Sequence, residues 1–236
     1  MAAGRGVSIA RWFVEWLKSI VIAAVVWMFL RTFVVEAFTI PSGSMENTLL
    51  VGDFLFVNKY LYGAEVPFIH KWLPEVREPA RGDILVFDSV EEDLKIVKRC
   101  IGIPGDTIAM RHGVVYRNGV ALAEPYALNT TPDAGMDEVA RMRMRDWQVS
   151  HFAGPVPDHY APNLHDWGPV VVPHDSLFVM GDNRDDSYDG RYWGFLPRLN
   201  VRGRPILVYF SYDATTYHRW AFLTEVRWHR LFTVPR

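Results

Sequence analysis

Three short stretches of this sequence hold residues whose types and spacing can do chemistry. The first is Pro41-Ser42-Gly43-Ser44-Met45. Two hydroxyls flank a glycine behind a proline, able to present a side-chain oxygen and a backbone N–H in one concave place. The same composition also makes an ordinary surface turn. The second is Lys98, inside the run Lys95-Ile96-Val97-Lys98-Arg99-Cys100-Ile101. On a strand Lys98 shares a face with Ile96 and Cys100, while Val97, Arg99 and Ile101 share the other. An amine turned into apolar surroundings loses its proton more readily and can act as a general base near neutral pH. A solvated edge-strand lysine fits the same spacing. The third is Gly181-Asp182-Asn183-Arg184-Asp185-Asp186-Ser187-Tyr188-Asp189-Gly190-Arg191. It lacks the acidic spacing and closing glutamate of an EF-hand. Carboxylates alternating with two arginines point instead to internal ion pairing, and so to a stiff loop that sets Ser187 beside another strand.

Other chemistries find no support. The eight histidines, at 70, 112, 151, 159, 165, 174, 218 and 229, make no zinc spacing. No glycine-rich phosphate loop or dinucleotide fingerprint is present, so neither metal nor cofactor is expected. The single cysteine, Cys100, allows no intrachain disulfide. A formal charge of −2 gives no reason to expect a nucleic-acid partner. Asn129-Thr130-Thr131 fits a glycosylation pattern and is read as incidental.

The elements that must position these stretches divide the chain in two. From Ser19 to Leu30 the sequence carries no charge. Extended over 12–35, the apolar segment is long enough for a bilayer core of roughly 30 Å. Lys18 and Arg31 would then snorkel to the headgroups, and Trp12, Trp16 and Trp27 would act as anchors. A buried or interfacial helix and a cleavable signal peptide are the rival readings, the latter lacking a small-x-small site. Arg5, Arg11 and Lys18 place residues 1–11 in the cytoplasm and 36–236 on the exported side. Beyond Pro41, short β-branched and aromatic runs alternate with turn residues: 54–60, 83–90, 96–103, 107–120, 169–173, 176–181 and 205–210. They predict a mainly β, antiparallel domain with no βαβ rhythm. Pro104-Gly105-Asp106 and Arg117-Asn118-Gly119 read as turns, the second in a hairpin. Residues 124–168 show no clean period and read as an insertion with a short helix around Met136–Met144, its role unassigned. The aromatic, basic tail after Ala214 fits a last strand or helix near lipid headgroups, or a plain structural tail.

Taken together, PSGSM with Thr48-Leu49 and GDFLFVNKY, RGDILVF with IVKRCIGIPGD, and GDNRDDSYDGRYWGFLP resemble the three ordered signatures of the bacterial type I signal peptidases, or leader peptidases. The resemblance covers the anchor region and about 36–120 and 167–210. It implies a serine–lysine dyad protease whose β domain follows a single-pass anchor in the bacterial inner membrane. Residue by residue, Ser44 matches the nucleophile and Lys98 the general base. Ser42, with the Ser44 N–H, matches the oxyanion hole. Ser187 matches the serine that orients the lysine, and Asp189 and Arg191 the pair supporting that loop. Met45, Ile96 and Val179 are carried over as lining the substrate pockets. The implied substrates are signal peptides of exported preproteins, with small residues at the last and third-last positions. Membrane lipids and a nearby secretion translocon are the implied surroundings. One departure stands out: the family commonly has proline two residues after the methionine, where this chain has Asn47. An inactive membrane-tethered β-rich binding module, a self-cleaving repressor-type hydrolase and an organellar processing peptidase are the alternatives.

Overall fold

The computed structural model describes residues 9–29, 35–63, 65–66, 71–72, 74–129, 136–216 and 218–236. Thirteen strands dominate. They are Val35–Thr39 (β1), Asp53–Asn58 (β2), Glu65–Val66 (β3), Lys71–Trp72 (β4), Ile84–Asp88 (β5), Lys95–Gly102 (β6) and Thr107–Arg111 (β7). Val114–Arg117 (β8), Val120–Ala121 (β9), Trp167–Val171 (β10), Ser176–Met180 (β11), Leu196–Pro197 (β12) and Val201–Ser211 (β13) follow. The helices are Ile9–Phe29 (α1), Glu138–Val149 (α2), Gly190–Trp193 (α3) and Ala221–Thr224 (α4). A seven-stranded sheet runs in the order β1-β2-β13-β5-β6-β11-β12; β10-β7-β8-β9 form a second sheet and β3-β4 a small ladder. Every ladder is antiparallel, as the alternating runs predict.

Local sequence accounts for the joins. Asn118 and Gly119 adopt φ of 53° and 80° between Arg117 and its partner Val120. That is the two-residue hairpin turn which Asn-Gly favours, because both positions need positive φ. Pro205 sits inside β13, where it would forfeit a ladder hydrogen bond, and the register shifts between Pro205 and Leu207; a bulge is where a strand tolerates proline.

The N-terminal segment requires a correction. α1 ends at Phe29, and Val35 already belongs to β1, so 12–35 is not one helix. Glu15 and Lys18 pair at 3.3 Å within α1. The longest uncharged run of α1 is Ser19–Phe29, about 16 Å at the α-helical rise, against a bilayer core of roughly 30 Å. No helix among the described residues is long and apolar enough to cross a membrane. This overturns the expected transmembrane anchor, the single-pass topology drawn from it, and the inner-membrane location with a cytoplasmic N-terminus. The first eight residues and 30–34 lie outside the described residues.

The core is three buried clusters, and each backs part of the chemistry-bearing stretches. One, between β1, β2, β5, β6 and β13, takes up Met45 and Leu49 beside Leu55, Ile84 and Val97. A second, around Leu85, Phe87, Cys100, Val179 and Leu196, fills the space behind β6 and β11. The third holds Ile108, Met110, Trp167 and Phe178 together with Met144 of α2. α2 starts on Asp137, whose side chain accepts from Ala140 N, a capping bond that satisfies an orphan N–H. It runs further towards the C-terminus than the helix expected around Met136–Met144.

Met144 is fully buried while Met142, on the opposite face of α2, is half exposed. Met144→Ala is therefore expected to lower the unfolding free energy by about 2–5 kcal/mol. Met142→Ala should change it by less than about 0.5 kcal/mol. Urea titration followed by tryptophan fluorescence measures both, and equal effects would show that α2 is not part of the core.

Candidate active site

The chain leaves β1 through Pro41 and makes one tight 3₁₀ turn, Gly43–Met45. Met45 and Leu49 plunge into the core, and the N–H groups of Thr48 and Leu49 both return to Met45 O. Ser44 is therefore held on a turn pinned from inside, with 9% of its surface exposed. Lys98 lies on β6 opposite Leu85 and is 4% exposed. Its Nζ is 2.6 Å from Ser44 Oγ. Desolvation by burial lowers the Lys98 pKa, and Arg191 pushes the same way. Asp189, Asp182 and Asp186 oppose them without prevailing. A group at this distance with a depressed pKa has the geometry and the basicity to take a hydroxyl proton.

Ser42 Oγ stands 3.5 Å from Ser44 Oγ and faces a cleft of about 430 Å³. Met45 and Ile96 line this cleft with Phe38, Ile40, Tyr188 and Trp193. Val179 does not. It is fully buried among Phe87, Leu196 and Val201, because β11 lies between β6 and β12 inside the sheet and both its faces are covered. The expectation that Val179 lines a substrate pocket is corrected accordingly.

The third stretch wraps Ser44 and Lys98. Gly181 passes so close that an added Cβ would stand 2.5 Å from Ser44 O and 2.2 Å from Ser187 Oγ; only hydrogen fits there. Asn183 N donates to Ser44 O at 3.1 Å, and Asn183 Nδ2 to Gly43 O at 3.2 Å. Ser187 Oγ gives its proton to Asp189 Oδ2 at 2.8 Å, and its hydrogen bond goes there rather than to Lys98. Asp189 also accepts from Gly181 N, Arg191 N, Arg191 Nε and Arg191 Nη2. Burial pushes the Asp189 carboxyl up, but Arg191 and these bonds outweigh it and hold the pKa below the usual carboxylate value.

Internal pairing explains only Asp189 with Arg191. Asp182 pairs instead with Arg99, at 2.8 and 2.6 Å, and Arg184 with Glu124, at 2.9 and 2.7 Å. Sequence reasoning missed these partners, and Gly181 and Asn183 as neighbours of Ser44. One signal was available: Arg99 lies next to Lys98 in an apolar strand, on the opposite face, and a buried guanidinium requires a carboxylate. Among the described residues, no group of three or more histidine, cysteine or carboxylate side chains is placed to hold a metal ion.

Comparison with known proteins adds the family. Residues 13–210 match the family described as signal peptidase, peptidase S26. Signal peptidase I of Pseudomonas fluorescens is 36% identical over 212 residues, covering 84% of this chain and 73% of the relative. The probable signal peptidase I-2 of Synechocystis is 36% identical over 194 residues, covering 79% of this chain and 68% of the relative. A crystal structure of a signal peptidase I from Enterococcus faecalis is 29% identical, covers 55% of this chain and 98% of its own, and superposes with a TM-score of only 0.38. The family match takes in all three chemistry-bearing stretches, and the chain belongs to the signal peptidase family, peptidase S26.

Proposed function

We propose that the protein is an endopeptidase that removes signal peptides from preproteins through a Ser44–Lys98 dyad. Family membership supports serine-type peptidase activity, and the 2.6 Å separation of Lys98 Nζ and Ser44 Oγ in a desolvated setting carries the residue assignment. Neutral Lys98 takes the proton of Ser44 Oγ as the oxygen attacks the scissile carbonyl carbon. The oxyanion that forms is met by the Ser44 N–H and the Ser42 hydroxyl. Collapse breaks the C–N bond, and the Lys98 ammonium passes its proton to the departing amine. The signal peptide remains as an ester on Ser44. A water molecule then gives a proton to Lys98 and attacks the ester. As the second intermediate collapses, Lys98 returns that proton to Ser44 Oγ. The substrate enters as an extended peptide beside the cleft. Its small side chains at the last and third-last positions sit against Met45 and Ile96, both of which line the cleft.

Cleavage of a purified preprotein tests the dyad. Ser44→Ala and Lys98→Ala should each lower kcat by about three orders of magnitude or more. Lys98→Arg should not rescue, since a guanidinium stays protonated. Turnover that survives both alanine substitutions would falsify the assignment. Removing the Ser42 hydroxyl should cost about a hundredfold in kcat with KM little changed, read from steady-state kinetics of Ser42→Ala.

The pH dependence has a definite sign. Lys98 works as the neutral amine, so kcat/KM should rise with pH through its pKa, with the midpoint below the ordinary lysine value because burial lowers it. Exposed Asp186 pulls that pKa up. Asp186→Asn should therefore move the rising limb to lower pH; a shift to higher pH, or none, contradicts the assignment of Lys98 as the titrating base.

A further inference from the structure

We infer that Asn47 is the positioning residue that ties the nucleophile turn to residues 124–128, which back the loop around Ser44. The inference rests on the reading of Ser44 as the nucleophile. Met45 and Leu49 pin the turn from inside, Asn183 holds Ser44 O and Gly43 O, and the far end of the turn, Glu46-Asn47, is exposed. There the chain reverses at Asn47 with φ of +83°, a left-handed conformation that asparagine tolerates better than most side chains. In that conformation Asn47 Nδ2 donates to Tyr126 O at 3.0 Å, across 79 residues of chain.

The segment that receives this bond is itself fixed to the loop around the dyad. Leu128 N donates to Asp182 O at 2.7 Å and Arg184 N to Leu128 O at 2.9 Å. The Glu124 carboxylate takes both terminal nitrogens of the buried Arg184. The Tyr126 ring lies 3.8 Å from the Arg99 guanidinium, covering the ion pair with Asp182. Asn183 N then returns to Ser44 O. A closed ring of contacts thus runs from Ser44 through Asn47, Tyr126, Leu128 and Asn183 back to Ser44. Asn47 is the side chain that closes it, through a single hydrogen bond. A reacting hydroxyl displaced by as little as about 1 Å loses rate steeply, so opening the ring at Asn47 acts on turnover before it acts on folding.

Two variants separate the hydrogen bond from backbone strain. Asn47→Gly keeps the left-handed turn and removes the amide. Asn47→Asp keeps the side-chain shape and sets an acceptor against Tyr126 O. Steady-state cleavage of a preprotein, corrected for folded fraction by thermal melts, should show kcat reduced about three- to tenfold in both, with KM essentially unchanged. Wild-type kcat in Asn47→Gly, or a loss that only tracks unfolded protein, overturns the positioning role. Ser44→Ala in the same assay keeps the two readings apart. If it retains activity, the nucleophile reading fails and this inference with it. If it is inactive while Asn47→Gly turns over at the wild-type rate, only the role of Asn47 fails.

Discussion

The constraint on which the rest of this structure depends is a lysine amine kept out of water within 2.6 Å of a serine hydroxyl. Burial alone disfavours the ammonium, but an amine in a low-dielectric setting is also sensitive to every charge near it. Asp189 is fully buried close by and pulls the lysine towards its charged form. Such a carboxylate works against what burial achieves. Arg191 clasps Asp189 through Nε and Nη2 and pushes the Lys98 pKa down in its turn. Arg191 offsets part of the pull of Asp189, and desolvation by burial is the largest influence on Lys98.

The same economy explains why the loop after β11 is so heavily charged and yet so deeply buried. Each buried charge costs several kcal/mol unless it is paired and its remaining hydrogen-bonding sites are filled. Asp189 has five donors. Asp182 has Arg99 and Thr48. Arg184 has both oxygens of Glu124 and the Gly181 carbonyl. These partners come from β6, from the turn that carries Ser44 and from the segment after β9, so satisfying the loop's charges also locks these three segments to it. A charge network that would be poor value for stability alone here fixes geometry.

Local patterns carried most of the β domain. The alternating runs marked β2, β5, β6, β10, β11 and β13, and Asn118-Gly119 marked its hairpin, because strand period and turn chemistry are written in neighbouring residues. Lys98 could be placed on a face with Ile96 but not weighed against a solvated lysine, since the groups that surround it, Ser44 and the charges of 182–191, come from distant sequence. Residues 124–128 read as structureless because their order comes from a parallel bridge between Leu128 and Asn183 and from Asn47, and no period records such long-range bonds. Val179 was misplaced because alternation cannot tell a half-buried strand from one covered on both faces. The N-terminal helix was overextended because an apolar count ran past Phe29 and discounted Glu15 and Lys18, whereas β1 already claims Val35.

The choice of cations around the dyad follows from the same constraint. Arg99, Arg184 and Arg191 are all buried, and so is Lys98. Burial lowers the pKa of any lysine, so a second lysine in this pocket would compete to lose a proton and would change the field at the first as it did so. A guanidinium keeps its charge throughout the range in which proteins work. It also meets a carboxylate with two parallel bonds, as Arg99 does with Asp182 and Arg184 with Glu124. With Arg99, Arg184 and Arg191 as its buried cationic neighbours, the positive charge around the amine beside Ser44 stays fixed while Lys98 titrates.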